Sequence, residues 1–292
     1  NHLGDWGTQF GKLIVAYKKW GNREEIEEKE IDALVALYVK FHAEAEKDES
    51  LNDEARAAFA KLEQHDEESL ALLARAPRGL FQMEIGVQSF HAETLRAIRR
   101  ACDTERLCAN IARLVAMRRI HVHIDLIAGL PLEDLATFRT GFDRAFALGA
   151  DMLQLGFLKL LHGAPMREER ETYPCTFDAH PPYAVRSTPW LSRAELAEIA
   201  LCEEGVERLY NSGKYRATLA AALAEGESPY RILCAVGGVL STLPSGYTMD
   251  EEVALLLDFF AARLGEERAR DLLLLDLLSH NSSCYVPRAL RR

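Results

Sequence analysis

Residues 79–89, GLFQMEIGVQS, alternate polar and apolar side chains and so read as a strand. Successive strand residues point to opposite faces, which places Glu84, Gly86 and Gln88 on one side and Met83, Ile85 and Val87 on the other. The pattern returns in HVHIDLIAG, residues 121–129, where His121, His123, Asp125 and Ile127 oppose Val122, Ile124 and Leu126. It returns again in DMLQLGF, residues 151–157, where Gln154 and Gly156 oppose Leu153, Leu155 and Phe157. Between them, HAETLRAIRR, DTERLCANIARLVAMRR and LEDLATFRTGFDRAFALGA carry helical spacing. Strand, helix, strand, helix, strand is the rhythm of a parallel sheet with crossover helices. The expected fold class is therefore α/β, with three strands forming part of a barrel rather than a closed one.

The sequence changes texture on either side of this centre. Upstream, KLIVAYKKW, IDALVALYVKFHAEAEKD and LNDEARAAFAKLEQHDEESLALLARA repeat apolar residues at helical intervals, so residues 1–70 read as an opening loop followed by helices. Asn52 or Asp53 is placed to cap the third of them. Downstream, the prolines of TYPCTFDAHPPYAVRSTPW exclude a long helix. Beyond them lie SRAELAEIALCEEGVERLYN, KYRATLAAALAEG, a helix from about residue 228 to 240, and MDEEVALLLDFFAARLG running on to RARDLLLLDLLSH. The last third is expected to be an all-helical domain. The chain thus divides into 1–72, 73–170 and 171–292.

Charge follows the same division. Of a net charge of -10, residues 1–70 hold 17 acidic and 9 basic side chains, leaving 28 acidic and 26 basic beyond. An acidic first segment would repel a polyanion, which argues against nucleic-acid binding by electrostatics. Six cysteines are spread from Cys102 to Cys284 with no C-x-x-C pair, so spacing supports neither a disulfide framework nor a zinc site. With no signal peptide and no apolar run of membrane-spanning length, a cytoplasmic location is expected.

If helices cover the apolar face of the sheet, the polar face lines a lumen and offers Glu84, Gln88, His123 and Asp125 to a ligand. The alternative is the solvent-facing side of a half-buried sheet. His121, His123 and Asp125 also form an alternate-residue triple of metal-ligating types, a pattern that arises easily by chance. Gly129 and Pro131 end the second strand in GLPLED, where backbone can approach a ligand closely.

MEIGVQSFHAETLRAIRR, IHVHIDLIAGLPLEDLATF, LQLGFLKLLHGAPMREE and NSGKY resemble, in order, the second half of a radical SAM barrel. The closest texture is that of cobalamin-binding radical SAM proteins with a helical C-terminal domain of unknown function. The resemblance implies S-adenosylmethionine as cofactor. It places Gln88 near the amino and carboxylate end of that molecule, Arg100 on its carboxylate, Asp125 on ribose or methionyl polar groups, and Ile127 on adenine. Glu84 and His123, on the same face, would contact a substrate whose identity the resemblance does not give. It also implies a [4Fe-4S] cluster held by a C-x-x-x-C-x-x-C loop, and the sequence contains no such run.

NHLGDWGTQFGKLIVAYKKWGN, with the acidic helices and KLEQHDEESLAL, resembles instead the catalytic domain of a bacterial arginyl-tRNA synthetase just after its ATP-binding His-x-Gly-His element. That family implies ATP, arginine and tRNA, yet the sequence carries neither the His-x-Gly-His nor the Lys-Met-Ser-Lys-Ser element. His2 does not replace the former, which sets two histidines at a helix start against phosphates. Three readings follow: a radical SAM-like chain with residual S-adenosylmethionine binding, a synthetase fragment, or a non-catalytic fusion, natural or from sequence assembly, joined near Glu67 to Leu73. The third is the leading one. Three strands also leave a sheet edge open to self-association.

Overall fold

The computed structural model describes residues 6–63, 70–71, 73–75, 77–100, 103–168, 171–280 and 285–291. It is a mixed α/β structure, mostly helical, that separates into two compact units. One comprises residues 1–81 with 105–120, the other 82–104 with 121–292.

The first unit opens with α1 (Trp6–Trp20), α2 (Arg23–Ala45) and α3 (Ser50–Glu63). Helix α1 packs on both α2 and α3 around a core of Val15, Ala16, Phe41, Leu51 and Ala55, with Trp20 and Leu37 against it. The expected opening loop is corrected here: residues 1–5 lie outside the described residues, and from Trp6 the chain is already helical. Two glycines in a helix cost roughly 1 kcal/mol each, but Gly11 is itself buried and the apolar face formed by Val15 and Ala16 stabilises the helix by packing. The expected cap of α3 also moves. Asp48 Oδ1, not Asn52 or Asp53, accepts from the Ser50 N–H at 3.1 Å and the Ser50 hydroxyl at 2.7 Å.

From residue 82 the elements are β1 (Gln82–Gln88), α4 (Ala92–Ala97), α5 (Thr104–Met117), β2 (His121–Ala128), α6 (Leu135–Ala147) and β3 (Met152–Phe157). Residues 105–120, which include most of α5, count with the first unit. The strands are parallel in the order β1-β2-β3. Most of the apolar set is buried as the alternation requires: Val87, Val122, Ile124, Leu126, Leu153 and Leu155 are nearly inaccessible, and Met83, Ile85 and Phe157 are half-buried. Helix α6 packs against β2, its start fixed by Asp134 Oδ1 accepting from the Thr137 N–H at 2.8 Å. Among the described residues the parallel sheet stops at three strands and does not close.

The outer edge of β3 is occupied. The Leu153 N–H donates to Asn211 Oδ1 and the Leu153 carbonyl accepts from Asn211 Nδ2, both at 3.0 Å, so one side-chain amide stands in for a neighbouring strand. Just beyond β3, the Val185 N–H donates to the Leu158 carbonyl at 2.8 Å.

The proline-rich stretch holds a short turn, α7 (Pro165–Glu168), and a two-stranded antiparallel ribbon of β4 (Thr176–Phe177) and β5 (Val185–Ser187). Then follow α8 (Arg193–Gly205), which continues into a π-helical turn at Val206–Asn211, α9 (Arg216–Ala224), α10 (Pro229–Leu240), α11 (Met249–Leu264) and α12 (Glu266–His280). The expected helical C-terminal region is present element by element. Reciprocal capping boxes, Ser192 with Glu195 and Thr248 with Glu251, start α8 and α11.

Helices α8 and α10 cross at two glycines. A Cβ on Gly205 would overlap the Leu233 carbonyl, and one on Gly237 the Leu201 carbonyl, so only glycine permits backbones this close. Buried Asp276 on α12 takes the place of a local cap for α9. It accepts from the Ala217 and Thr218 N–H groups at 2.8 Å each and from the Thr218 hydroxyl at 2.7 Å.

Candidate functional site

The polar face of the sheet carries the expected residues, with one change of mechanism. In register, Glu84 stands beside His123, and Gly86 beside Asp125, which in turn neighbours Gln154. His123 is 6% exposed although it lies on the polar face. Its Nε2 is 3.2 Å from Asp125 Oδ1 and its Nδ1 4.0 Å from Glu84 Oε1. The imidazole therefore lies between two carboxylates on one face, with neither ring nitrogen hydrogen-bonded. Among the described residues no three metal-ligating side chains are placed to hold a metal ion.

The register slips between Gly86 and Gln88, so that Gln88 pairs with Leu126 rather than continuing the alternation. Simple parity, which gave Gln88 the same side as Glu84, does not survive this bulge. Gln88 adopts a left-handed backbone with φ of 67°, and its side chain folds back over the face it was expected to occupy. A Cβ on Gly86 would overlap the Gln88 amide nitrogen and stand 3.6 Å from Arg100 Nη2. Gln88 and Arg100 thus meet above Gly86, next to Asp125. On the other flank, Ile127 leans over Gly156, where a Cβ would lie 3.6 Å from Ile127 Cγ1. Two glycines lower the floor of the face on either side of β2. Glu84 and Gln154 are exposed and Asp125 and Ile127 half-buried, so the face is open rather than an enclosed lumen.

At Gly129 the φ of 90° favours glycine, and a Cβ there would stand 3.6 to 3.8 Å from Leu158, Val185 and Leu196. What the strand ends do contribute is a polar cluster that the sequence did not reveal. Glu133 is 1% exposed, and the Ser89 hydroxyl donates to its Oε1 at 2.5 Å. Ser89 Oγ accepts from the His91 N–H at 2.9 Å, His91 Nδ1 is 3.0 Å from Thr94 Oγ1, and the Thr94 hydroxyl donates to the Pro131 carbonyl at 2.7 Å. Glu133 Oε2 is buried without a hydrogen-bond partner. Burial, partly offset by the Ser89 hydrogen bond, raises the Glu133 carboxyl to about 7. Beside the cluster, Glu93, Arg96, Ala97, Leu132 and Tyr173 line a shallow depression of about 320 Å³. Only the acidic pair in GLPLED could have signalled Glu133, and its neighbour Asp134 is an ordinary helix cap.

Among the described residues Cys108, Cys175, Cys202 and Cys234 form no disulfide, Cys202 and Cys234 lie close enough to interact, and burial raises Cys175, Cys202 and Cys234 away from the thiolate form. Cys102 and Cys284 lie outside the described residues. Among the described residues no helix is long and apolar enough to cross a membrane.

Comparison with known proteins divides the chain again. A family profile described as the catalytic domain of class I tRNA synthetases for arginine matches residues 1–88, and one described as a protein of unknown function, DUF4080, matches residues 171–292. An arginine–tRNA ligase of Alkaliphilus metalliredigens is 67% identical over 72 residues, which is 25% of this chain and 13% of that protein. Those of Clostridium perfringens, 61% over 75 residues, and Enterococcus faecalis, 64% over 69 residues, match 26% and 24% of this chain and 13% and 12% of their own lengths. The chain thus spans only 12–13% of the length of these relatives.

Proposed function

We propose that this chain joins parts of two unrelated cytoplasmic proteins, an arginine–tRNA ligase catalytic domain over residues 1–72 and a radical SAM-like sheet and helical domain over 73–170 and 171–292, and that the joined chain completes neither reaction. The observation that supports this most is the 67% identity of the first segment to an arginine–tRNA ligase, set against a match of residues 171–292 to a different family. His2 and Asp5, in the most synthetase-like stretch, lie outside the described residues. Arginine-dependent exchange of pyrophosphate into ATP is expected at the blank level, and turnover would overturn the proposal. A single long DNA read across the codons for residues 60–80 distinguishes a genuine joined gene from an error of assembly.

The residues present do not fit a [4Fe-4S] cluster, since the sequence lacks the cysteine loop and among the described residues no three such side chains are placed to hold a metal ion. S-adenosylmethionine is a second matter. The meeting of Gln88 and Arg100 over Gly86, next to Asp125, supports residual binding of its amino-acid end. There Arg100 would hold the carboxylate, Gln88 and Asp125 the amino and ribose groups, and Ile127 the adenine. Calorimetric titration of the wild type against Asp125→Ala tests this. Loss of binding in the variant supports it, and equal affinity or no binding in either protein removes it. A further part of the proposal is self-association through the free side of β1, read by sedimentation.

A further inference from the structure

Residues 88 and 89 are bound to two different tasks. Gln88 takes a left-handed backbone that a non-glycine residue adopts only when its surroundings impose it. Ser89, the next residue, is 2% exposed and bonded on both sides, donating to Glu133 and accepting from the His91 N–H. Thr94, fully buried, ties α4 to the same loop through the Pro131 carbonyl. The Arg100 N–H then closes onto the Leu95 carbonyl at 2.8 Å, so the approach of Arg100 to Gly86 follows from where α4 is held.

We propose that Glu133 is a positioning residue for the polar face: through Ser89 it holds the turn at Gln88, and together with the Thr94–Pro131 bond it sets where Gln88 and Arg100 meet over Gly86. The ligand class, a zwitterionic amino-acid group, rests on the S-adenosylmethionine reading above. The positioning role does not. An ionised carboxylate receives a charge-assisted hydrogen bond from Ser89 and has no proton to offer in competition. The protonated acid makes a weaker acceptor for Ser89, so in openings of the turn that leave Glu133 buried the turn loosens as Glu133 gains its proton, although burial makes the fold as a whole favour the protonated form. The other ionisable groups around it are Asp134 beside it, His91 in the same hydrogen-bonded chain, and Glu93 and Arg96 on α4. Asp134 and Arg139 in turn act on Glu195.

The test measures backbone amide protection over residues 86–91 and at Arg100 by hydrogen exchange at pH 6 and pH 8, corrected for intrinsic rates, alongside S-adenosylmethionine titrations of the same samples. In the wild type, protection at residues 88–91 should fall about tenfold from pH 8 to pH 6, the size of losing one charge-assisted bond. Glu133→Gln, which keeps shape and acceptor, should lie at the lower level at both pH values. Ser89→Ala should lose protection at both, and serves if the glutamine variant folds poorly. Unchanged pH dependence in Glu133→Gln overturns the proposal, as does its disappearance in His91→Gln alone. If the exchange pattern holds and the wild type binds no S-adenosylmethionine at either pH, the ligand reading falls and the positioning role stands.

Discussion

The helices of residues 6–63 and those of residues 193–280 carry the same signature in sequence, apolar residues at helical spacing, and bury it around different interiors. Helices α8 to α12 share a continuous interior that includes Ile199, Val206, Leu233, Val236, Leu256 and Phe260, all inaccessible. Helices α1 to α3 close on Val15, Ala16, Phe41, Leu51 and Ala55, and α2 leaves Val35 and Val39 more than half exposed, as α12 leaves Leu275. Periodicity reports that a helix has an apolar face. It does not report whether the same segment supplies what covers that face.

The contrast can be broken at its strongest point first. Gly237→Val drives a side chain into the Leu201 carbonyl and should cost about 4 kcal/mol or more, removing exchange protection throughout α8 and α10. Retained protection would mean that the helices part without loss. Phe41→Ala empties the centre of the cluster within α1 to α3 and should cost about 3 kcal/mol, read as lost protection in α1 and α3.

The third effect comes from Glu133 and has a definite sign. Its folded carboxyl is raised from 4.5 to about 7, so folding favours the protonated form. The stabilisation is complete below the unfolded value and is lost as pH rises towards 7. At about 1.4 kcal/mol per unit, this makes the wild type roughly 3 kcal/mol more stable at pH 5 than at pH 8 on this group's account. Glu133→Gln should remove that difference from urea midpoints, and a preserved difference would assign it elsewhere. Asp48, Asp134, Asp178, Glu195, Asp250 and Glu251 are lowered by their hydrogen bonds and titrate below this window. Smallest of all, Val35→Lys with Val39→Lys should change stability by under about 1 kcal/mol in total. A larger loss would show that α2 is covered in solution.

The strand faces were legible because alternation is local: Val122, Ile124 and Leu126 went in, and Asp125 and Ile127 stayed on the other side. The C-terminal helices were legible for the same reason, with their caps written beside them. Gln88 was not, because a bulge reverses parity without any residue announcing it, and Gln88 reached the polar face by folding back over Gly86. Glu133 was hidden because one of two adjacent acids is buried and the other caps a helix, a distinction set by Ser89, 44 residues away. Asn211 and Asp276 act on partners 58 residues distant, beyond the reach of any spacing rule.

Asn211 bears on how this sheet can grow. Ordered fibres built by strand addition need two receptive borders on each subunit, so that every arrival presents a new one. Here the Asn211 amide occupies the outer side of β3 at Leu153, and among the described residues β1 is the other border of the sheet. On the proposed self-association, two copies paired at β1 would each have used that border, and the pairing would stop at a dimer.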